Sequence, residues 1–165
     1  MKYALLIMYE LRGVKKTIGD LYKYIVDFYD ADIFILCQKQ YDDDEERIKL
    51  FNRNVKFVKL YDKPNPKDYF NIDEEFIFSN YKNMSKKNDE YRGLWNTPGN
   101  IQICINLNEM AKVLKDYIND YDYYIGVRSD IEILFPFPDK ELFNDIPNDI
   151  YGFYPNYCSS CGGIG

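Results

Sequence analysis

The sequence predicts a single α/β domain in which a mostly parallel sheet is flanked by helices. Two observations carry this prediction. Continuous apolar runs of strand length alternate along the chain with segments of helical period. The length of 165 residues suits one well-cored domain and is too short for two ordinary ones. No internal repeat or linker divides the sequence, so we assign residues 1–165 to one domain.

The first half of the chain predicts three strands and two helices. Thr17, followed by Asp20 three residues later, predicts the N-terminus of the first helix. The apolar face of this helix comprises Ile18, Leu21, Tyr22, Ile25 and Phe28. The other predicted segments are strands at 3–9, 32–37 and 55–60 and a short helix at 43–51. Strands that alternate with helices favour parallel pairing through crossover helices.

The second half predicts two loops, one long helix and two strands. The proline-containing segment 61–71 and the polar segment 80–89 are typical of loops. Asn100 is the predicted N-cap of the long helix, which leads directly into a strand that begins at Tyr121. The apolar face of that helix comprises Ile101, Cys104, Ile105, Leu107, Ala111, Leu114 and Ile118. A last strand is predicted at 150–154.

The composition excludes several classes of function. A net charge of −6 argues against non-specific nucleic-acid binding, which needs clustered Lys and Arg. The absence of histidine excludes Ser-His-Asp and Cys-His catalysis, a His general base and His-ligated zinc. Because no apolar run approaches membrane-spanning length and no signal peptide is recognisable, we expect no membrane span and a cytoplasmic location.

Two further groups of residues invite a metal-site interpretation that we do not favour. Cys158 and Cys161 have C-x-x-C spacing, but no second pair or histidine completes a zinc site, so an ordinary loop is favoured over zinc, redox or disulfide roles. Cys37 and Cys104 are expected to serve as small apolar residues in a strand and a helix. The acidic run 42–46 is interpreted as the solvated first turn of a helix.

Charged residues follow two of the predicted strands. Arg128 and Asp130 come after the strand that begins at Tyr121, and Arg12 and Gly13 come after the first strand. Open α/β sheets bind ligands at the carboxyl ends of their strands, so both loops are candidates for a phosphate site. The alternatives are a surface ion pair between Arg128 and Asp130 and an ordinary turn after the first strand. Neither a Walker loop nor a G-x-G-x-x-G motif is present.

In the order of these motifs, the chain resembles a group of glycosyltransferases found in large DNA viruses and bacterial polysaccharide loci. These enzymes have the GT-A fold, which is Rossmann-like. In their pattern of G-x-x-R, D-[IV]-F-[IV] and Y-D-Y-[VI]-[IV]-x-x-R-x-D, the corresponding residues here are 9–12, 32–35 and 121–130. This chain has Tyr9 in place of the first glycine, and Gly13 follows the arginine. Where many such enzymes carry Asp-x-Asp, this chain has Arg128-Ser129-Asp130.

The resemblance implies a donor site for a nucleotide-diphosphate sugar and a glycan or glycoprotein acceptor. The implied donor-binding residues are Tyr9, Arg12, Gly13, Arg128 and Asp130. It also implies that Asp130 ligates Mn²⁺ or Mg²⁺, although Arg128 could itself neutralise diphosphate charge. Glu132 is a candidate second ligand, but a solvent-facing role is favoured.

The expected compartment is the cytoplasm, or the host cytoplasm for a viral protein. Such enzymes continue beyond their last glycine-rich segment, so we expect that the C-terminal acceptor portion is missing from this sequence. The sequence favours no residue as catalytic base. The alternatives are a non-catalytic nucleotide-sugar-binding or interaction module on the same fold, and a generic α/β domain whose acidic surface binds another protein.

Overall fold

The computed structural model describes residues 1–63, 67–70 and 98–133, and these form a parallel sheet between helices. The strands are β1 (Tyr3–Tyr9), β2 (Asp32–Gln38), β3 (Val55–Tyr61) and β4 (Tyr123–Val127). The helices are α1 (Val14–Leu21), α2 (Asp27–Tyr29), α3 (Asp44–Lys49), α4 (Lys67–Phe70) and α5 (Pro98–Leu114), with a π-helical segment, Tyr22–Val26, joining α1 to α2. The predicted α/β class is confirmed.

The four strands are all parallel and lie in the order β3-β2-β1-β4. From β1 the chain moves outward through β2 to β3, and it later returns to place β4 on the other side of β1. The strand order therefore reverses between β1 and β4, where Ile7 pairs with Val127. Crevices at such reversal points are the usual ligand sites of open α/β sheets.

Both faces of the sheet are covered, which explains why its central strands are continuous apolar runs. One face packs against the helical run from α1 to α2, through residues such as Leu5, Ile35 and Ile25. The other face packs against α5, where Met110 meets Leu6 and Phe34. β1 and β2 are almost wholly buried, whereas β3 is only partly buried.

Several predicted boundaries are wrong, two of them at the starts of α1 and β4. Thr17 is not an N-cap; Gly13 holds that position, and Thr17 is buried inside α1. β4 begins at Tyr123 instead of Tyr121, since its pairing with β1 starts at Tyr123; the Tyr121 hydroxyl instead donates to Asp32, and the Asp122 carboxylate accepts the backbone N–H of Lys2.

The remaining differences concern the ends of the later elements. α5 begins at Pro98 instead of Asn100 and ends at Leu114, with turns at 115–120. A proline in the first helical turn is favourable because its missing N–H has no partner there in any case. The predicted loop 61–71 contains the last residue of β3 and the short helix α4. The predicted loop 80–89, the predicted strand 150–154 and the C-x-x-C pair lie outside the described residues.

The acidic run before α3 is only partly solvated. Asp42, Glu45 and Glu46 are exposed, as predicted, but Asp44 is buried. One of its carboxylate oxygens accepts the backbone N–H groups of Gln40 and Tyr41 at 2.7 and 2.9 Å. The prediction of a solvated turn is therefore wrong for Asp44, which closes the loop between β2 and α3.

The predicted packing roles of the two described cysteines have different outcomes. Cys37 is buried in β2, where burial raises the pKa of its thiol, so it serves as a small apolar residue. Cys104 lies in α5 as predicted but is exposed. Across residues 1–63, 67–70 and 98–133, no helix has both the length and the hydropathy needed to cross a membrane.

Candidate functional site

Two loops meet at the carboxyl ends of β1 and β4. Residues 10–13 follow β1, and residues 128–130 follow β4, its parallel neighbour. The Arg12 guanidinium contacts the Asp130 carboxylate, with Nε and Nη2 at 3.1 and 3.0 Å from Oδ2. The structure therefore brings together residues that are more than a hundred positions apart, at the point where the strand order reverses.

The Asp130 carboxylate lies between two guanidinium groups. Arg128 binds it with two parallel hydrogen bonds, from Nε to Oδ1 at 2.9 Å and from Nη2 to Oδ2 at 2.8 Å. Hydrogen bonds from Arg128, reinforced by the charge and hydrogen bond of Arg12, hold the pKa of Asp130 below its ordinary value. The Asp130 side chain is 21% exposed, whereas each arginine side chain is 53% exposed. Both guanidinium groups are accessible from solvent.

Glu10 is a second carboxylate at this site, and the sequence analysis missed it. Its Oε1 lies 3.3 Å from Nε of Arg12, the same nitrogen that contacts Asp130. The signal available in the sequence was its place beside Arg12 in the loop after β1. We call Glu10, Arg12, Arg128 and Asp130 the charged cluster; it carries two positive and two negative charges.

Buried hydroxyl groups join the two loops beneath the charged cluster. The Ser129 hydroxyl lies 2.6 Å from the carbonyl oxygen of Glu10 and 2.9 Å from that of Arg12, so both carbonyls share its proton. The Thr17 hydroxyl donates to the carbonyl oxygen of Ser129 at 2.5 Å. Ser129 and Thr17 are both buried. Their side chains fix the backbone that carries Arg12 and Asp130.

Gly13 allows the two loops to approach this closely. Its φ of 75° lies in the left-handed region that glycine adopts without cost. A Cβ atom at this position would lie 3.0 Å from both Cα and Cβ of Asp130, which is too close for an ordinary contact. Gly13 therefore acts through its lack of a side chain.

Tyr9 ends β1 in an unusual backbone conformation. Its φ is 82°, which is strained for a residue with a side chain, and such strain often occurs at functional sites. The ring is partly buried, and burial raises the pKa of Tyr9 while the nearby Arg128 guanidinium opposes that shift. Tyr9 thus lies beside the charged cluster.

The loop after β1 is held from its other side by α3. Nη1 of Arg47 donates to the carbonyl oxygen of Leu11 at 3.0 Å. Asp43 orients Arg47 with a 2.7 Å hydrogen bond and accepts another of the same length from Lys15. The hydrogen bonds from Arg47 and then Lys15 lower the pKa of Asp43 to about 2. This carboxylate supports the loop and does not contact the charged cluster.

Asp43 should make a pH-dependent contribution to stability. Its pKa is lower in the folded protein than in an unfolded chain, so the stabilisation is fully present above about pH 4 and is lost as the pH falls towards 2. In urea unfolding at a series of pH values, Asp43→Asn should be less stable than wild type at pH 6, and the difference should disappear near pH 2. A difference that stays constant across this range would contradict the assigned ion pairs.

The oxygen atoms of the charged cluster show whether it fits the metal ion that the resemblance implies. Asp130 and Glu10 supply carboxylate oxygens, which hard cations such as Mg²⁺ and Mn²⁺ prefer, and both lie beside the same Arg12 nitrogen. These two residues fit such a cation if Arg12 moves away. Glu132 is exposed and lies beyond the end of β4, so the strand that would have aligned it with Asp130 does not continue. In the described part of the chain, no group of three or more Cys, Asp or Glu residues is placed to hold a metal ion.

The site presents two exposed guanidinium groups, both paired with Asp130, at the carboxyl ends of β1 and β4. Comparisons with protein-family models, curated proteins and solved structures find no match for this chain.

Proposed function

We propose that this protein binds a nucleotide-diphosphate sugar at the carboxyl ends of β1 and β4 and transfers the sugar to a glycan or glycoprotein acceptor. The observation that carries the proposal is the convergence of Arg12, Arg128 and Asp130 at the reversal point of the sheet. Arginine pairs bidentately with phosphate as well as with carboxylate, so this arrangement suits a diphosphate. The proposed fold is the GT-A form of the α/β class.

The backbone of Tyr9 supports the resemblance on which this proposal draws. In the G-x-x-R pattern the position of Tyr9 is a glycine, and here that residue has a positive φ of 82°. Positive φ is the conformation for which glycine is ordinarily required. The loop of this chain therefore has the backbone shape that the pattern implies, even though the glycine itself is replaced.

Each residue then has a defined part in donor binding. Arg12 and Arg128 pair with the diphosphate, and Tyr9 stacks on the base or the sugar. Gly13 lets the first loop lie against Asp130. Asp130, with Glu10 as a second oxygen donor, would hold Mn²⁺ or Mg²⁺. When bound there, the cation would act as a Lewis acid that neutralises charge on the departing nucleoside diphosphate.

The two arginines contribute to transfer by stabilising the leaving group. Negative charge builds up on the diphosphate as the bond to the sugar breaks, and fixed cationic donors stabilise that charge. The Ser129 and Thr17 hydrogen bonds hold the backbone that carries Arg12 and Asp130, so little backbone reorganisation is needed in the first loop. We assign no catalytic base.

Thermal unfolding with UDP-, GDP- and dTDP-sugars, with and without Mn²⁺, tests the proposal. A donor present at a hundred times its dissociation constant should stabilise the protein by about 2.7 kcal/mol, which corresponds to a rise in Tm of several degrees. Asp130→Ala should abolish the part of this rise that requires Mn²⁺. Asp27→Ala, which removes a carboxylate paired with Arg53, should not.

Activity separates the proposed enzyme from a binding module. Incubation with a labelled donor and candidate acceptors should yield a glycosylated product and free nucleoside diphosphate. Donor binding without any transfer would contradict the proposed catalysis and favour a nucleotide-sugar-binding module. If no nucleotide sugar changes the Tm, the donor site itself is wrong.

A further inference from the structure

We infer that the Asp130 carboxylate occupies the diphosphate position of Arg12 and Arg128 in the ligand-free protein, so that an incoming diphosphate must displace it. This inference deepens the proposed function, because it concerns the same site and rests on its recognition of a diphosphate. It assigns Asp130 a role that is separate from metal binding. It also predicts that removing the Asp130 charge improves phosphate binding when no metal is present.

The hydrogen-bond geometry carries the first step. A guanidinium group presents a planar pair of N–H donors, and a carboxylate or two phosphate oxygens satisfy that pair equally well. In Arg128 this pair is already engaged by Asp130, at 2.9 and 2.8 Å. Nε and Nη2 of Arg12 also point to Asp130, at 3.1 and 3.0 Å. The same donors that would bind a phosphate therefore bind an internal anion.

The local charge carries the second step. Two guanidinium groups and the carboxylates of Glu10 and Asp130 give the charged cluster no net charge, so it offers an incoming anion little overall attraction. Replacing Asp130 with the isosteric asparagine leaves a net positive charge and removes the carboxylate that both arginines share, although Arg12 keeps its contact with Glu10. Asn at this position also preserves the close packing against Gly13, since only the terminal atoms change.

The exposure of the two arginine side chains allows a diphosphate to replace Asp130. Both arginine side chains are 53% exposed, so they can turn towards a ligand in solvent. The backbone beneath them is fixed by Ser129, which is 1% exposed. The exchange therefore requires side-chain rotation only, and both loops keep their positions.

Titration calorimetry of inorganic pyrophosphate, with chelator present and at constant ionic strength, tests the inference. The Asp130→Asn protein should bind pyrophosphate about tenfold more tightly than wild type, which corresponds to about 1.4 kcal/mol. Glu10→Gln removes the same charge without releasing the Arg128 hydrogen bonds, so its gain should be about threefold or less. Asp27→Asn is the matched distant control, because Asp27 accepts a bidentate pair from Arg53 beside the amino end of β3, and it should leave the affinity unchanged.

Three outcomes would overturn the inference. The first is an Asp130→Asn protein that binds pyrophosphate no more tightly than wild type. The second is a Glu10→Gln protein whose gain equals that of Asp130→Asn. The third is that neither wild type nor Asp130→Asn binds pyrophosphate. Because the probe contains no sugar and no metal, the result does not depend on glycosyl transfer. Failure of transfer with Mn²⁺ and a nucleotide sugar would instead count against the proposed function alone.

A second measurement on the wild-type chain guards against a variant that fails to fold. The Nε–H signals of Arg12 and Arg128, assigned by nitrogen–proton spectroscopy of the Arg→Lys variants, should both shift as pyrophosphate is added. The Nε–H signal of Arg53 should not. Unmoved Arg12 and Arg128 signals at saturating pyrophosphate would overturn the displacement of Asp130.

Discussion

Replacing Gly13 with alanine should lower the free energy of unfolding by about 2–4 kcal/mol. Two effects combine at this position. A φ of 75° costs a residue with a side chain about 1–2 kcal/mol. The new methyl group would also lie 3.0 Å from Cα of Asp130, and backbone atoms cannot move aside as a flexible side chain can. Urea unfolding followed by circular dichroism measures the loss.

Gly19 provides the matched control for this substitution. It lies in α1, and among the described residues a Cβ atom there meets no atom within 4 Å apart from its chain neighbours and the backbone of its own helix. Alanine is the better helix former, so Gly19→Ala should stabilise the protein by about 0.5–1 kcal/mol. Two Gly→Ala changes six positions apart should therefore have opposite signs. A Gly13→Ala protein as stable as wild type would show that the loops after β1 and β4 do not pack as described.

The sequence was sufficient to predict the α/β class and to single out Arg12, Arg128 and Asp130, which the structure brings together, but not Glu10. Apolar runs predicted β1 to β4, and the polar residues directly after β1 and β4 included Arg12, Arg128 and Asp130. These predictions depend on local pattern alone, because a strand end is visible as the end of an apolar run. The two loops are neighbours because β4 pairs with β1, and this pairing is visible only in the structure.

Residues that act through distant partners were missed or misassigned. Thr17 has the local pattern of an N-cap, but its hydroxyl donates to Ser129, 112 positions later in the chain. The Ser129 hydroxyl likewise donates to carbonyl groups of the first loop, and the Tyr121 hydroxyl donates to Asp32. Local propensity cannot reveal such contacts, because they form only after the strands have assembled. A short polar side chain near the end of a helix or strand can therefore be a local cap or a hydrogen-bond partner of a distant loop, and the two cannot be told apart until the neighbouring strand is known.

Thr17→Val should destabilise the protein by about 1–3 kcal/mol, although the two side chains have nearly the same shape. Valine cannot donate a hydrogen bond, so the Ser129 carbonyl oxygen would lose its 2.5 Å contact in a buried environment. The loss should also weaken pyrophosphate binding, because Ser129 contacts the carbonyl groups of Glu10 and Arg12. Unfolding in urea and titration with metal-free pyrophosphate measure the two effects.

Thr17→Ser separates the hydroxyl group from the shape of the side chain. Serine keeps the donor and loses one methyl group, so it should restore the pyrophosphate affinity of wild type even if some stability is lost. If the Thr17 side chain contributed only packing, the order would be reversed: the valine variant would be more stable than the serine variant and would bind pyrophosphate more tightly. Equal affinity of the two variants would show that the Thr17 hydrogen bond does not position Arg12. The combination expected here, with stability and affinity lost in valine and affinity retained in serine, would identify Thr17 and Ser129 as positioning residues of the charged cluster.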